Sequence, residues 1–152
     1  PDGLVYGIDI QGEAIKGTEK TLKDHDCLEQ ARLIQGDHSN LDRWVEGPLQ
    51  AVCFNLGYLP RGSHKIITRP PSTITAMEKA LKLLNPRGIM TVVAYWGHRG
   101  GEEEIVAVDQ FLSSIEQTYA SVLRYEFINQ INFPPKLYVV EKRGDDRYPF
   151  PG

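Results

Sequence analysis

The stretch with the clearest chemical potential is Asn55-Leu56-Gly57-Tyr58-Leu59-Pro60, which directly follows an apolar run. The Asn55 side chain carries a carbonyl acceptor and an amide donor, so it can orient an amine and direct the nitrogen lone pair at an electrophile. Gly57 permits close backbone approach, and Tyr58 offers a face for stacking. The alternative is an ordinary turn punctuated by Gly and Pro. We favour chemistry, because an amide that ends a buried strand is costly to leave without partners.

Two further segments end strand-like runs with a carboxylate. Asp9 can accept both hydroxyls of a ribose, or it can cap the helix that follows. Asp37, in Gly36-Asp37-His38, can accept from an adenine amino group with His38 packed nearby. The alternative for Asp37 is a Gly-Asp turn, which is a common loop composition.

A basic loop and a glycine-flanked histidine come next along the chain. The basic side chains are candidates for phosphate contacts, or they belong to a solvated loop: Arg61, His64, Lys65 and Arg69. His98 lies in Trp96-Gly97-His98-Arg99-Gly100-Gly101, which is typical of a loop that closes over a ligand. A metal is not expected, because no second ligand-type side chain stands at the required spacing from His98.

These residues are positioned by alternating strand-like and helix-like stretches. Strands are predicted at residues 4–10, 31–35, 49–54, 89–95, 122–128 and 137–142. Helices are predicted at 13–24 and 102–115, and a third begins after a cap at Ser72 or Thr73 and ends at residue 84. Such alternation predicts a parallel sheet covered by helices. The last two strands have only residues 129–136 between them, so we expect them to pair antiparallel.

The carboxyl ends of parallel strands share one edge of a sheet, and ligands of open α/β folds bind there. The segments that follow the predicted strands are 9–11, 36–38, 55–60 and 96–98, and the final hairpin turn reaches the same edge. The sequence therefore predicts a ligand site where these polar and glycine-containing segments converge.

Composition limits the remaining possibilities. The chain has 152 residues, a net charge of −3 and 41% hydrophobic residues, which is enough for one globular domain but not typical of a general polyanion binder. No apolar run approaches the roughly 20 residues needed to cross a bilayer. The two cysteines, Cys27 and Cys53, indicate neither a disulfide framework nor a zinc site, and we expect Cys53 to lie in the core.

Four segments in this order carry a family resemblance: LIQGDHSNLD, FNLGYLPRGSHKIITRPPSTITAMEKALKLLNPRG, WGHRGGEEE and LRYEFINQINFPPKLYVVEK. They resemble a small family of class I methyltransferases labelled rRNA methylases. Its bacterial members look like the tRNA enzymes that methylate the 5-aminomethyl group of wobble 2-thiouridine. The resemblance implies a Rossmann-like α/β fold, mostly parallel with a C-terminal antiparallel hairpin and helices on both faces.

The resemblance also implies roles for individual residues. S-adenosylmethionine would be held by Asp9, Gln11, Asp37, His38, Asn55, Leu56 and Gly57. Catalysis would fall to Asn55 and His98. The substrate, the anticodon stem-loop of tRNA, would be bound by Tyr58, Arg61, Lys65, Arg69, Asn129, Gln130 and Asn132. The family resemblance further implies a homodimer, with no membrane and no metal, in the cytoplasm or, for a eukaryotic source, inside a plastid or mitochondrion.

One element of the resembled family is not found in this sequence. Its members normally begin with a strand and a Gly-Asn-Gly type loop that wraps the methionine part of the cofactor, and that strand would pair beside the first and third strands here. We therefore expect residues 1–143 to form a methyltransferase domain lacking its first strand, loop and helix, followed by a tail at 144–152. Either residues ahead of Pro1 supply the missing unit, or the chain is a truncated form whose gap is filled differently. A sheet without its central strand exposes two unpaired edges.

Three functions follow as hypotheses. The first is methyl transfer from S-adenosylmethionine to the wobble uridine amine of tRNA. The second is a non-catalytic RNA-binding or dimerisation partner that has lost cofactor binding. The third is a methyltransferase for a different RNA nitrogen, although its usual signature has prolines after the catalytic Asn, where this chain has Leu56-Gly57.

Overall fold

The fold alternates strands and helices, as the hydrophobic periodicity predicts. A computed structural model of the chain describes residues 3–57, 70–97 and 101–144. The elements, in chain order, are β1 (Val5–Asp9), α1 (Gly12–Asp24), β2 (Ala31–Gln35), β3 (Leu49–Leu56), α2 (Pro70–Leu83), β4 (Leu84–Ala94), α3 (Gly101–Ser113), β5 (Ala120–Tyr125) and β6 (Lys136–Lys142), with short 3₁₀ helices at Leu28–Gln30 and His38–Arg43. Within the described ranges, no helix is both long and apolar enough to span a membrane.

The strands form two sheets. β1 pairs in parallel with β2, and a second sheet has the order β3-β4-β6-β5. β3 and β4 are parallel, whereas β6 is antiparallel to both β4 and β5, as predicted for the final hairpin. In the part of the chain that the structure describes, four strands have one edge with no strand partner: β1, β2, β3 and β5.

The core lies against one face of the four-stranded sheet. Alternate residues of the strands are buried there, including Phe54, Met90, Val92 and Val140. They pack with the apolar stripes of α2 and α3, whose fully buried members include Met77, Leu81, Val108 and Leu112. Burying a side chain of this size contributes about 1.5–3 kcal/mol. In contrast, α1 buries none of its residues.

A buried lysine connects the end of β6 to the end of α2. Lys142 is 6% exposed, and its Nζ donates to the carbonyl oxygens of Lys82 in the last turn of α2, at 3.4 Å, and of Leu84 just after it, at 2.8 Å. Tyr119, also buried, donates its hydroxyl to the carbonyl of Leu81 at 3.2 Å. The last carbonyls of a helix have no partner within the helix, so these two donors stabilise the C-terminal end of α2.

The structure corrects three local predictions. Helix α2 begins at Pro70 instead of after a cap at Ser72 or Thr73, because the first turn of a helix needs no backbone donors and accepts proline. β4 begins at Leu84, and the predicted stop at 85–88 is a bulge opposite Gln50. Cys53 is exposed rather than in the core, because its side of β3 is the opposite side from the buried Phe54.

Candidate functional site

The ends of β1 and β2 bring two candidate segments together. The Gly36 amide donates to the carbonyl of Asp9 at 3.0 Å, so the residues that follow each strand are neighbours. Asp9 is half-buried, and its Oδ1 accepts the backbone N–H of Gln11 at 2.7 Å. This bond orients the carboxylate just ahead of α1, since Gln11 is the residue that precedes the helix. It occupies one acceptor position, and a carboxylate has several more.

Asp37 and His38 start the 3₁₀ helix that follows β2. Asp37 Oδ1 accepts the amide of Ser39 at 2.9 Å, and this hydrogen bond lowers the pKa of Asp37 below its ordinary value of 3.8. Burial lowers the pKa of His38 below 6.5, against the opposing effect of charges on Asp37, Glu104 and Asp9. His38 Nε2 is buried and has no hydrogen-bond partner among the described residues. Asp37 and His38 thus combine a carboxylate acceptor with an unpaired ring nitrogen.

The end of β3 lies beside the end of β4 and contains Asn55 and Leu56, with Gly57 directly after it. Asn55 is exposed within β3, so the expectation of a buried amide that needs partners is wrong, whereas its neighbour Leu56 is 2% exposed on the core side. The Leu56 carbonyl accepts the amide of Tyr95 at 3.2 Å, which fixes the ends of β3 and β4 side by side. Gly57 has φ +151°, where a side chain would be strained. The sequence therefore needs glycine at the point where the Asn55 segment leaves the sheet.

The aromatic rings of His38 and Phe54 connect the two halves of the edge. Their centroids are 6.2 Å apart with an interplanar angle of 80°. Phe54 directly precedes Asn55, so His38 at the end of β2 lies near the end of β3. The structure therefore brings the Asp37-His38 segment toward the Asn55-Leu56-Gly57 segment, as the convergence of strand ends predicts.

The turn between β5 and β6 reaches the end of β4. Trp96 Nε1 donates to the carbonyl of Pro134 at 2.7 Å, and the Trp96 and Phe133 rings meet edge to face at 4.8 Å. A cavity of about 480 Å³ lies there, and Gln130 and Asn132 line it, whereas Asn129 does not. Its wall also includes the Trp96 and Phe133 rings. An ion pair completes it, in which Lys136 Nζ lies 3.4 Å from Glu126 Oε2.

A buried polar pair behind this edge was missed by sequence reasoning. Thr73 in the first turn of α2 donates its hydroxyl to Glu104 in the first turn of α3 at 2.7 Å, and both side chains are at most 2% exposed. The sequence contains a signal for Glu104, which precedes Val108 by one helical turn and so falls on the apolar stripe. Its neighbours Glu102 and Glu103 are exposed.

Several predicted site residues lie outside the described residues. They are the proposed catalytic His98 and the proposed substrate contacts Tyr58, Arg61, Lys65 and Arg69. Their roles stay predictions. Over the ranges that the structure describes, no three His, Cys, Asp or Glu side chains are grouped in a way that could hold a metal ion.

The arrangement combines side chains suited to different parts of a nucleoside-containing ligand and an amine. Asp9 and Asp37 supply carboxylate acceptors for hydroxyl or amino groups. Asn55 supplies an amide at the end of β3, and the hairpin turn supplies aromatic rings and two further amides. Such a set can bind and orient polar groups at one edge of the sheet.

Comparison with known proteins gives a consistent result. Residues 5–141 match a family model described as "Putative rRNA methylase". A curated Arabidopsis thaliana protein named tRNA (mnm(5)s(2)U34)-methyltransferase, chloroplastic, is 32% identical over 148 residues. That alignment covers 92% of this chain and 53% of the relative, so the chain spans about half the length of that relative.

Solved structures agree with the fold. A "putative rRNA-methylase" from Clostridium thermocellum superposes with a TM-score of 0.91 at 46% identity, over 93% of this chain and 76% of the other. A "putative methyltransferase" from Streptococcus mutans, solved in complex with SAH, has a TM-score of 0.85 at 36% identity, over 91% of this chain and 76% of the other. The described α/β architecture is therefore that of these structures.

Proposed function

The chain belongs to the family described as putative rRNA methylase, and from this premise we propose that it transfers a methyl group from S-adenosylmethionine to an amine of tRNA. The proposed acceptor is the 5-aminomethyl group of wobble uridine or 2-thiouridine. The name of the Arabidopsis relative supports this acceptor, and the SAH in the Streptococcus structure supports the methyl donor. The proposal depends mainly on one observation, the proximity of the strand ends that carry these segments: Gly36 binds Asp9, and the His38 ring contacts Phe54, which precedes Asn55.

The residues at the ends of β1 and β2 fit the adenosine part of this cofactor. The Asp9 carboxylate, oriented by the Gln11 amide, can accept the ribose hydroxyls. Asp37 can accept the adenine amino group, and the half-buried His38 ring follows it in the chain, where it could pack beside the adenine. Gln11 is half-buried beside Asp9 and completes the ribose side.

The proposed chemistry requires little beyond positioning. S-adenosylmethionine supplies an electrophilic methyl group on a sulfonium sulfur. The Asn55 side-chain oxygen would accept a hydrogen bond from the neutral amine and so hold the lone pair of the amine nitrogen in line with that methyl group. The C–N bond would then form as the C–S bond breaks. The released proton would pass to His98 or to water. A well-oriented pair of reactants gains a large effective molarity, which accounts for most of the expected rate.

On the substrate side, we propose that tRNA binds through the hairpin turn and the basic loop. Gln130 and Asn132 present amides in the cavity next to Trp96, and Asn129 is exposed on the same turn. Tyr58 would stack on a base, while Arg61, Lys65 and Arg69 would contact phosphates. A homodimer and an organellar interior, as for the chloroplastic relative, belong to the same proposal.

A second function is favoured by the divided sheet. The described strands form two separate sheets, and the proposed cofactor segments follow strands of both sheets. A chain whose two halves do not hold the cofactor together would act as a non-catalytic RNA-binding or dimerisation partner. Titration calorimetry with S-adenosylmethionine separates the two functions, because only the methyltransferase requires binding.

The decisive experiment is mass spectrometry of nucleosides from tRNA incubated with the protein and S-adenosylmethionine. We expect one added methyl group on the 5-aminomethyl nucleoside of the wobble position. The control is tRNA that lacks the aminomethyl group, which should gain none. Methylation of an adenine or cytosine amine instead would replace the proposed acceptor. Cofactor binding without any methyl transfer would overturn the proposal.

A further inference from the structure

The cavity at the β5–β6 turn combines aromatic rings with paired hydrogen-bonding groups. Its volume is about 480 Å³ and its wall includes the Trp96 and Phe133 rings, the Gln130 and Asn132 amides, and the Lys136–Glu126 ion pair. Lys136 Nζ also lies 5.4 Å from the centroid of the Trp96 ring. The cavity contains both charge signs, which suits a neutral polar ligand better than a free anion.

The wall of the cavity is held in place from two directions. Trp96 is fixed by its hydrogen bond to the Pro134 carbonyl. Phe133 packs edge-on against Trp96, and a β-carbon added to Gly97 would lie only 3.1 Å from the Phe133 Cβ. The two aromatic residues therefore present a preformed surface, which reduces the entropy that ligand binding would cost.

The backbone at Phe133 is strained. Asn132 and Phe133 have φ values of +66° and +57°, a conformation that is uncommon for non-glycine residues and rare for a bulky side chain. Despite this cost, Phe133 keeps 51% of its surface exposed instead of burying it in the core. Backbone strain that burial does not offset is often found at ligand sites.

We propose that this cavity binds an unpaired RNA base next to the base that is methylated. Nucleobases are neutral and planar, with a face for aromatic stacking and an edge of donors and acceptors that Asn and Gln amides can match. The cavity lies at the end of β4, which is bound to the end of β3: Trp96 in its wall follows Tyr95, whose amide donates to the Leu56 carbonyl. The inference deepens the proposed function and depends on its RNA substrate.

The test compares binding of an RNA hairpin that has a single-stranded loop with binding of a blunt duplex of the same stem. Phe133→Leu keeps an apolar side chain but removes the aromatic face, and we expect it to weaken hairpin binding by about fivefold or more while duplex binding stays unchanged. Ile128→Ala is the matched control, because Ile128 is 97% exposed on the same turn and does not line the cavity. Fluorescence anisotropy measures both affinities, and a thermal melt checks folding.

Any result other than this selective loss of hairpin binding overturns the proposal that the cavity binds an unpaired base. Equal hairpin affinity for wild type and Phe133→Leu, or no hairpin binding by the folded wild-type protein, would remove the base subsite. Sedimentation analysis covers a second possibility: a dimer that dissociates in Phe133→Leu, with RNA binding unaffected, would make the cavity a contact between copies of the chain.

Methylation measured on the same variants keeps this inference separate from the proposed function. If no variant methylates tRNA but Phe133→Leu weakens hairpin binding, the methyltransferase proposal fails and the subsite stands. If methylation proceeds and Phe133→Leu leaves both hairpin affinity and KM unchanged, the subsite fails and the function stands.

Discussion

The Oγ1 atom of Thr73 donates a 2.7 Å hydrogen bond to Oε1 of Glu104, and this bond joins the first turns of α2 and α3. Both side chains are buried, at 0% and 2% exposure. The segments just before the two helices contain Arg69 and His98, which are proposed to contact the substrate and to accept the proton. The pair therefore holds the start of α2 against the start of α3, the two helices that follow these proposed residues in the chain.

We expect Thr73→Val to destabilise the protein by about 1–3 kcal/mol, because it preserves side-chain shape but removes a donor from a buried carboxyl group. Urea unfolding measures the change. Thr75→Val is the matched control, since Thr75 donates to the Pro71 carbonyl within α2 and not to another element. Equal stability of the Thr73 and Thr75 variants would contradict a special role for the Glu104 contact.

The types of the elements were predictable from the sequence because apolar spacing dictates which face is buried. In α3, Ile105, Val108 and Leu112 recur at helical spacing, and all three are buried, as is Ile115 just after the helix. The antiparallel hairpin followed from the absence of a helix between the last two strands. Edge convergence was likewise predictable, since parallel strands end on the same side of a sheet.

The remaining features depend on contacts between distant residues, which spacing along the chain does not encode. Thr73 and Glu104 are 31 positions apart, so neither helix alone reveals their pairing. The exposure of Cys53 depends on what covers each face of β3, and an apolar run does not contain that information. Local chemistry also misplaced the start of α2, because the Pro70-Pro71 pair, taken as a boundary, is compatible with a first helical turn.

Acid should destabilise the protein through His38. Burial lowers the pKa of His38 below 6.5 in the folded state, so the unfolded chain binds more protons in the window below pH 6.5. The stabilising contribution is complete above pH 6.5 and is lost as the pH falls toward the folded-state pKa. We expect a slope of at most about 1.4 kcal/mol per pH unit in urea unfolding, and a shallower slope for His38→Gln.

The control for this titration is His25→Gln, which removes an exposed imidazole at the end of α1. Asp37 does not confuse the result, because its pKa is lowered from 3.8 and its own contribution is lost only at more acidic pH. An unchanged slope in His38→Gln would show that another group causes the acid sensitivity.

Asp9→Ala should weaken S-adenosylmethionine binding by about 2 kcal/mol, because hydrogen bonds to a charged acceptor contribute roughly 1.5–3 kcal/mol. Titration calorimetry on a form of the protein that binds the cofactor measures the change. Asp42→Ala serves as the control, since Asp42 is an exposed carboxylate on the 3₁₀ helix at His38–Arg43 and forms an ion pair with Lys79 of α2. Wild-type affinity in Asp9→Ala would remove Asp9 from the site and leave only its hydrogen bond to Gln11.

Asn55→Ala should reduce kcat by about tenfold or more, at least 1.4 kcal/mol of activation free energy, and leave cofactor affinity nearly intact. If the amide orients the attacking amine, its loss is felt mainly in the transition state, so kcat and kcat/KM fall together. Asn55 is exposed on β3, so stability should change by less than about 0.5 kcal/mol. Cys53→Ala, two residues earlier on the same exposed face, is the matched control and should keep wild-type rates. A folded Asn55→Ala protein that methylates tRNA as fast as wild type would place the methyl-transfer floor elsewhere on the sheet edge.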